Sequence, residues 1–320
     1  MADVRERAEK ARRLIDNVER VISGKPDVVE AAVVCLLADG NLLVEGVPGV
    51  GKTMLARSIA RSLSGGFGRV QATPDLLPSD VTGISVYDQE LHEFRFVPGP
   101  LFANVVLVDE INRATPRTQS ALLEPMEERQ ITVEGVTHPL PHPFFLVATQ
   151  NPAEHHGVYP LPEGQLDRFS LALEIGYPTG DEAREVVTRQ LLRHPIEDLE
   201  PVLSADDVVE LQAAVRAIHV APAVVEYAVS LAEATREHRD VALGASPRAS
   251  VALTHSAQAL ALVRGRDYAL PDDVKALAPA VLAHRLALRS QGSGAAGRAT
   301  AVVGEVLEVV PVPLGVDEPV

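Results

Sequence analysis

Apolar residues in the first half of the chain fall into short, largely continuous runs: Asn41–Val44, Arg69–Gln71, Val105–Asp109, Phe144–Thr149 and Leu171–Ile175. Runs of this kind predict strands covered on both faces. The intervening stretches, Thr53–Leu63 among them, have helical spacing, and this alternation predicts a parallel sheet with helices packed on it. Two segments break the pattern. Ile84–Tyr87 and Glu93–Val97 flank a polar turn, and Gln130–Val133 and Val136–His138 flank Glu134-Gly135. Both predict β-hairpins.

After Tyr177-Pro178-Thr179-Gly180 the period becomes helical over Asp181–Leu192, Ser204–His219, Pro222–His238 and Pro247–Arg264. Pro222 and Pro247 stand where a first helical turn tolerates proline, and Ser246 is a good N-cap. Pro271–Ala287 also reads as helix, with an interruption expected at Pro279. A domain boundary is therefore expected near residue 178, with an α/β unit over 1–178 and an all-α unit over 179–290. Residues 291–320 begin Gly/Ser/Ala-rich and predict a flexible tail, in which the apolar Val306–Val312 either pairs as an edge strand or stays disordered.

With 46% apolar and 23% charged residues over 320 positions, the composition is that of a soluble globular protein. A net charge of −15 argues against a nucleic-acid partner, which calls for a basic footprint. The apolar run Ala31–Ala38 is too short for a membrane span, and Met1–Arg13 mixes acids and bases without the core of a signal peptide, so a cytoplasmic location without membrane insertion is expected. The single cysteine, Cys35, lies in that apolar run and reads as a buried structural thiol.

The chemistry begins at Gly46-Val47-Pro48-Gly49-Val50-Gly51-Lys52-Thr53, which fits the phosphate-loop pattern G-x-x-x-x-G-K-[ST] between a strand and a helix. Glycines let backbone N–H groups curl around an anionic phosphate, and the following helix N-terminus adds favourable partial charge. ATP contacts are expected from Gly46 through Met54, with Lys52 on the β/γ-phosphates and Thr53 on Mg2+. Val105–Asp109 is an apolar strand ending in Asp109-Glu110. Asp109 is expected to hold the Mg2+ shell and Glu110 to polarise a water for in-line attack. The next strand ends at Asn151-Pro152, where Asn151 either contacts the γ-phosphate or its water, or simply forms a turn.

In this order, the phosphate loop, Asp109-Glu110 and Asn151 resemble the AAA+ ATPases. The segments Thr73–Asp80, Asp109–Arg113, Ala121–Gln130, Ala148–Pro152 and Leu161–Phe169 narrow the resemblance to the MoxR family, over about residues 15 to 290. It implies an AAA+ αβα sandwich on a parallel five-stranded sheet, two hairpin inserts and a smaller all-α lid. It also implies that Asn151 is the first sensor, that Arg168 is an arginine finger reaching a neighbouring subunit's nucleotide, and that Arg248 is the second sensor on the lid. The active form implied is a homo-oligomeric ring, most often a hexamer. It would hydrolyse ATP to remodel partner complexes, commonly von Willebrand factor A domain proteins, with cofactor or metal insertion a recurring theme.

A metal-chelatase motor subunit shares this architecture; a nucleic-acid motor and a nucleotide-gated module with little turnover are the alternatives from other classes. Gly164 stands where the family often has Ala, which is expected to loosen the helix carrying Arg168. His138, His142, His155 and His156 follow no zinc spacing and read as solvated loop residues. Arg113 faces either a neighbouring subunit or solvent, and Gly24-Lys25-Pro26-Asp27 is a candidate adenine contact.

Overall fold

The computed structural model describes residues 2–151, 157–192, 195–290 and 295–313. Five parallel strands form the central sheet: β1 (Leu42–Glu45), β2 (Phe67–Gln71), β3 (Val105–Asp109), β4 (Phe145–Gln150) and β5 (Leu171–Glu174), in the spatial order β5-β1-β4-β3-β2. Their registers align Glu45 with Gln150 and Glu174, and Gln71 with Asp109, so the functional strand ends share one edge of the sheet. Side chains alternate between two apolar clusters, as the period of a strand requires. Leu42, Val44, Leu107 and Val147 face one cluster; Leu43, Val106, Val108 and Ala148 face the other, with Met126, Phe144 and Phe169.

The first cluster continues without a break into the helical half. Helix α2 (Pro26–Leu37) lies between the sheet and the C-terminal helices, α1 (Ala2–Glu19) packs on α2 and on the C-terminal helices, and α3 (Lys52–Arg61) follows the phosphate loop. A short α4 (Leu123–Glu128) precedes the second hairpin. The helical half comprises α5 (Gly180–Leu192), α6 (Ala205–Arg216), α7 (Pro222–Glu237), α8 (Pro247–Val263) and α9 (Pro271–Leu282). Helix α8 runs through its centre, burying Leu253, Ala257, Leu260 and Ala261. Lys10 of α1 donates to Asp207 of α6 at 2.6 Å. That ammonium and the Ser204 cap hold the Asp207 carboxyl well below the usual carboxylate range.

Both hairpins form, as Gly83–Asp88 with Glu93–Pro98 and Gln130–Val133 with Val136–Pro139. The second turns through Glu134 (φ 51°) and Gly135 (φ 81°), the two positive φ values that a tight twisted hairpin needs. Phe96 of the first stacks on His138 of the second at 4.1 Å, so this histidine packs between the inserts.

His138 is therefore not the solvated loop residue expected, and two further expectations fail. The segment after Ser290 is not a flexible tail or an edge strand throughout: Ala295–Val309 is a helix, α10. It buries Ala299, Val302, Val303 and Val306. These positions follow the i, i+3, i+4, i+7 helical period, which the flanking glycines and serine masked. Helix α9 also passes through Pro279 unbroken. His155 and His156 lie outside the described residues, as do residues 314–320. No helix among the described residues is long and apolar enough to cross a membrane. Cys35 is buried and its thiol is pushed up to about 12 by burial, which keeps it protonated and unreactive.

Candidate active site

The strand-to-helix turn after β1 is shaped by backbone constraints. Gly46 has φ 150°, and a Cβ there would lie 2.4 Å from the Ile175 carbonyl oxygen. Gly51, the N-cap of α3, is left-handed at φ 100°. The loop opens onto a cleft of about 390 Å3 lined by Pro48–Met54, Asp109, Glu110 and Asn151. The far wall comes from Ile22, Ser23 and Lys25 before α2, and from Val186 and Arg189 of α5. The candidate adenine segment thus reaches the cleft through Lys25. The α5 wall carries no sequence signal.

Lys52 is buried and folded over its own loop, donating to the Gly46 carbonyl and to the Val47 carbonyl at 3.1 Å. Asp109 is the hub. It accepts from Thr53 Oγ1 at 3.1 Å, from Thr149 Oγ1 at 2.6 Å and from Arg69 at 3.1 Å. A hydroxyl and a carboxylate converging at a helix start form an all-oxygen donor pair, which suits a hard cation such as Mg2+. No cluster of three or more His, Cys, Asp or Glu that could hold a metal occurs among the described residues.

Glu110 has a left-handed backbone (φ 57°, ψ 48°), a conformation costing a non-glycine residue about 1–3 kcal/mol and common where function fixes a side chain. Its N–H donates to Thr149 Oγ1 at 2.9 Å. Its carboxylate accepts from Gln71 at 3.3 Å and from Arg113 at 3.0 Å. Arg113 therefore serves its own chain's acid. Asn151 is buried at the cleft, 4% exposed. Thr149, Gln71 and Arg69 were not picked out from sequence; the strand registers bring them to the acids.

Arg168 and Arg248 are elsewhere. Neither is among the described residues lining the cleft. Arg168 meets Glu127 of α4 at 3.1 Å, and Arg248 meets the same carboxylate at 2.6 Å. Arg248 thus lies on the helical half, as the family resemblance implies, in the first turn of α8 and outside the cleft lining. The cause is Asp167. Its carboxylate accepts from Ser246, the N-cap of α8, at 2.8 Å, and from the buried Arg285 at 3.0 Å. Arg285 also donates to the Phe169 carbonyl at 2.7 Å. The start of α8 is thereby docked beside residue 168. Arg168 also donates to the Gly164 carbonyl at 2.9 Å, and a Cβ on Gly164 would meet nothing within 4 Å.

Comparison with known proteins agrees with this geometry. Residues 41–171 match the model of the ATPase family associated with various cellular activities (AAA), and residues 233–306 match an AAA lid domain. Chaperone MoxR1 of Mycobacterium tuberculosis is 44% identical over 94% of this chain and 82% of its own length. Protein MoxR of Paracoccus denitrificans is 31% identical over 84% of this chain and 86% of its own, and the uncharacterised YeaC of Bacillus subtilis is 48% identical over 94% of each. A crystal structure from Cytophaga hutchinsonii, provisionally named an ATPase, superposes with a TM-score of 0.87 at 34% identity, covering 97% of both chains. Phosphate loop, paired acids, sheet order and helical lid together place the chain in the MoxR family of AAA+ ATPases.

Proposed function

We propose that this chain binds Mg-ATP in the cleft and hydrolyses it only as part of a homo-oligomeric ring, a hexamer by family precedent, to remodel or activate partner proteins. Lys52 would leave its loop carbonyls to neutralise the β/γ-phosphates, while the α3 N-terminus adds its partial charge. Thr53 and Asp109 would hold Mg2+, which when bound screens the phosphate charge. Glu110, aimed by its backbone and by Thr149, would take the proton of the attacking water. Asn151 would orient that water. The α1–α2 helices share one apolar core with the lid, a connection able to carry nucleotide state from the cleft to the helical half.

The observation that carries the proposal is the division of charge: the phosphate loop and acids line one cleft, while Arg168 and Arg248 gather on Glu127 outside it. Two arginines sharing a single carboxylate of their own chain suit a triphosphate held by a second copy. Arginine fingers acting this way are worth about 10³–10⁵ in rate. The clients would be von Willebrand factor A domain proteins or similar complexes, with cofactor or metal insertion as the outcome; that part rests on the family alone. The test mixes Lys52→Ala with Arg168→Ala chains, each inactive alone. Hydrolysis should reappear in the mixture, because some interfaces pair an intact loop with an intact finger. No recovery at any ratio overturns the shared site.

A further inference from the structure

We infer that Glu127 is a latch: it holds Arg168 and Arg248 against their own subunit, and a second copy's triphosphate must displace it. The inference rests on the shared-site reading above. Each oxygen of the Glu127 carboxylate takes one guanidinium, Oε2 that of Arg168 at 3.1 Å and Oε1 that of Arg248 at 2.6 Å. One negative charge thus stands between two positive ones, where a phosphate would otherwise draw them outward.

The pose of Arg168 shows that the latched state is a compromise. One terminal nitrogen donates to Gly164 O and the other meets Glu127. Its Nε is buried with no hydrogen-bond partner among the described residues. A buried donor left unpaired carries a desolvation penalty, so the guanidinium gains by turning toward an acceptor-rich ligand. A triphosphate offers more charge and more acceptor oxygens than one carboxylate, and the planar guanidinium can take two of those oxygens at once. The side chain of Arg248 is already 53% exposed, against 22% for Arg168, so the second-sensor arginine is the more readily reached from outside. Once the phosphate arrives, the Glu127 carboxylate is a like charge beside it and must lose its hold. Free subunits therefore keep their fingers folded back, and assembly works against Glu127.

The test compares ATP hydrolysis against protein concentration for wild type, Glu127→Gln and Glu127→Asp, with a fluorescent ATP analogue titrated into each dilute chain to confirm an intact fold and cleft. Glu127→Gln keeps the shape and removes the charge. It should reach half-maximal hydrolysis at a protein concentration lower by roughly threefold or more, the scale of one partly exposed ion pair, with a plateau at least that of wild type. Glu127→Asp, which keeps the charge, should shift less. An unshifted Glu127→Gln curve overturns the latch and leaves the shared site standing. A plateau as low as that of Arg168→Ala also overturns it, since Glu127 would then support the arginines in catalysis. A wild-type rate per chain independent of concentration down to high dilution overturns the shared site and the latch with it.

Discussion

Around the cleft, the two acids are answered within the chain: Asp109 by Thr53, Thr149 and Arg69, and Glu110 by Gln71 and Arg113. On the arginine face, Arg168 and Arg248 share the single carboxylate of Glu127, and Arg168 leaves a buried nitrogen with no partner among the described residues. The cleft joins a phosphate-loop lysine to a hydroxyl–carboxylate pair, groups that suit an anion and a hard cation. The arginine face sets two guanidiniums against one carboxylate, which on the reading proposed above stands in for a phosphate. Two surfaces of one chain with complementary needs are what a head-to-tail contact between identical subunits requires, because each copy then supplies what the next one lacks.

The comparison breaks most visibly at Lys52. Lys52→Ala should abolish ATP binding by the isolated chain, measured by titration with a fluorescent analogue, whereas Arg248→Ala should leave it within about twofold; an equal loss in both would return Arg248 to its own chain's cleft. Glu110→Gln should bind ATP normally and slow hydrolysis by about 10²–10⁴, the usual contribution of a general base, measured as single-turnover phosphate release. Ser246→Ala removes the α8 cap and one of the ties to Asp167. It should cost about 1 kcal/mol in denaturant unfolding and weaken Arg248 more than Lys52.

A smaller effect involves His284, whose Nε2 faces the Phe169 carbonyl at 3.0 Å. Burial, with Arg285 alongside, lowers its pKa to about 3. The folded state keeps it neutral while the unfolded chain protonates near 6.5, so its contribution to stability is full above that value and falls as pH drops toward 3. Melting temperatures between pH 7 and pH 5 should decline less steeply for His284→Asn than for wild type. The smallest expected effect is at Gly164, where open space and ordinary φ allow a methyl group. Gly164→Ala should stabilise the chain by about 0.4–1 kcal/mol without altering ATP binding.

Much of this was legible in the chain because it is local. A strand buried on both faces must be apolar along its length, and a phosphate loop must be glycine-rich with its lysine at the helix start, so the sheet strands, both hairpins and the loop could be read directly. The α10 helix was legible too, in the spacing of Ala299, Val302, Val303 and Val306, but the flanking glycines and serine favoured a flexible reading. Thr149, Gln71 and Arg69 were not legible, since a polar residue near a strand end acquires meaning only from the strand paired beside it. Glu127 and Asp167 were less so, being ordinary acids until the fold brings arginines from distant segments onto them.

The sequence by itself determined the strand, phosphate loop and helix that begin the AAA+ pattern, and the paired acids at a strand end, because those features are met within a few consecutive positions. Only the tertiary structure decided that Arg248 belongs with Arg168 and away from the cleft. That choice depends on Asp167 tying the start of α8 to Arg285 and to the segment at Phe169, contacts made across more than seventy residues of chain that no local pattern encodes.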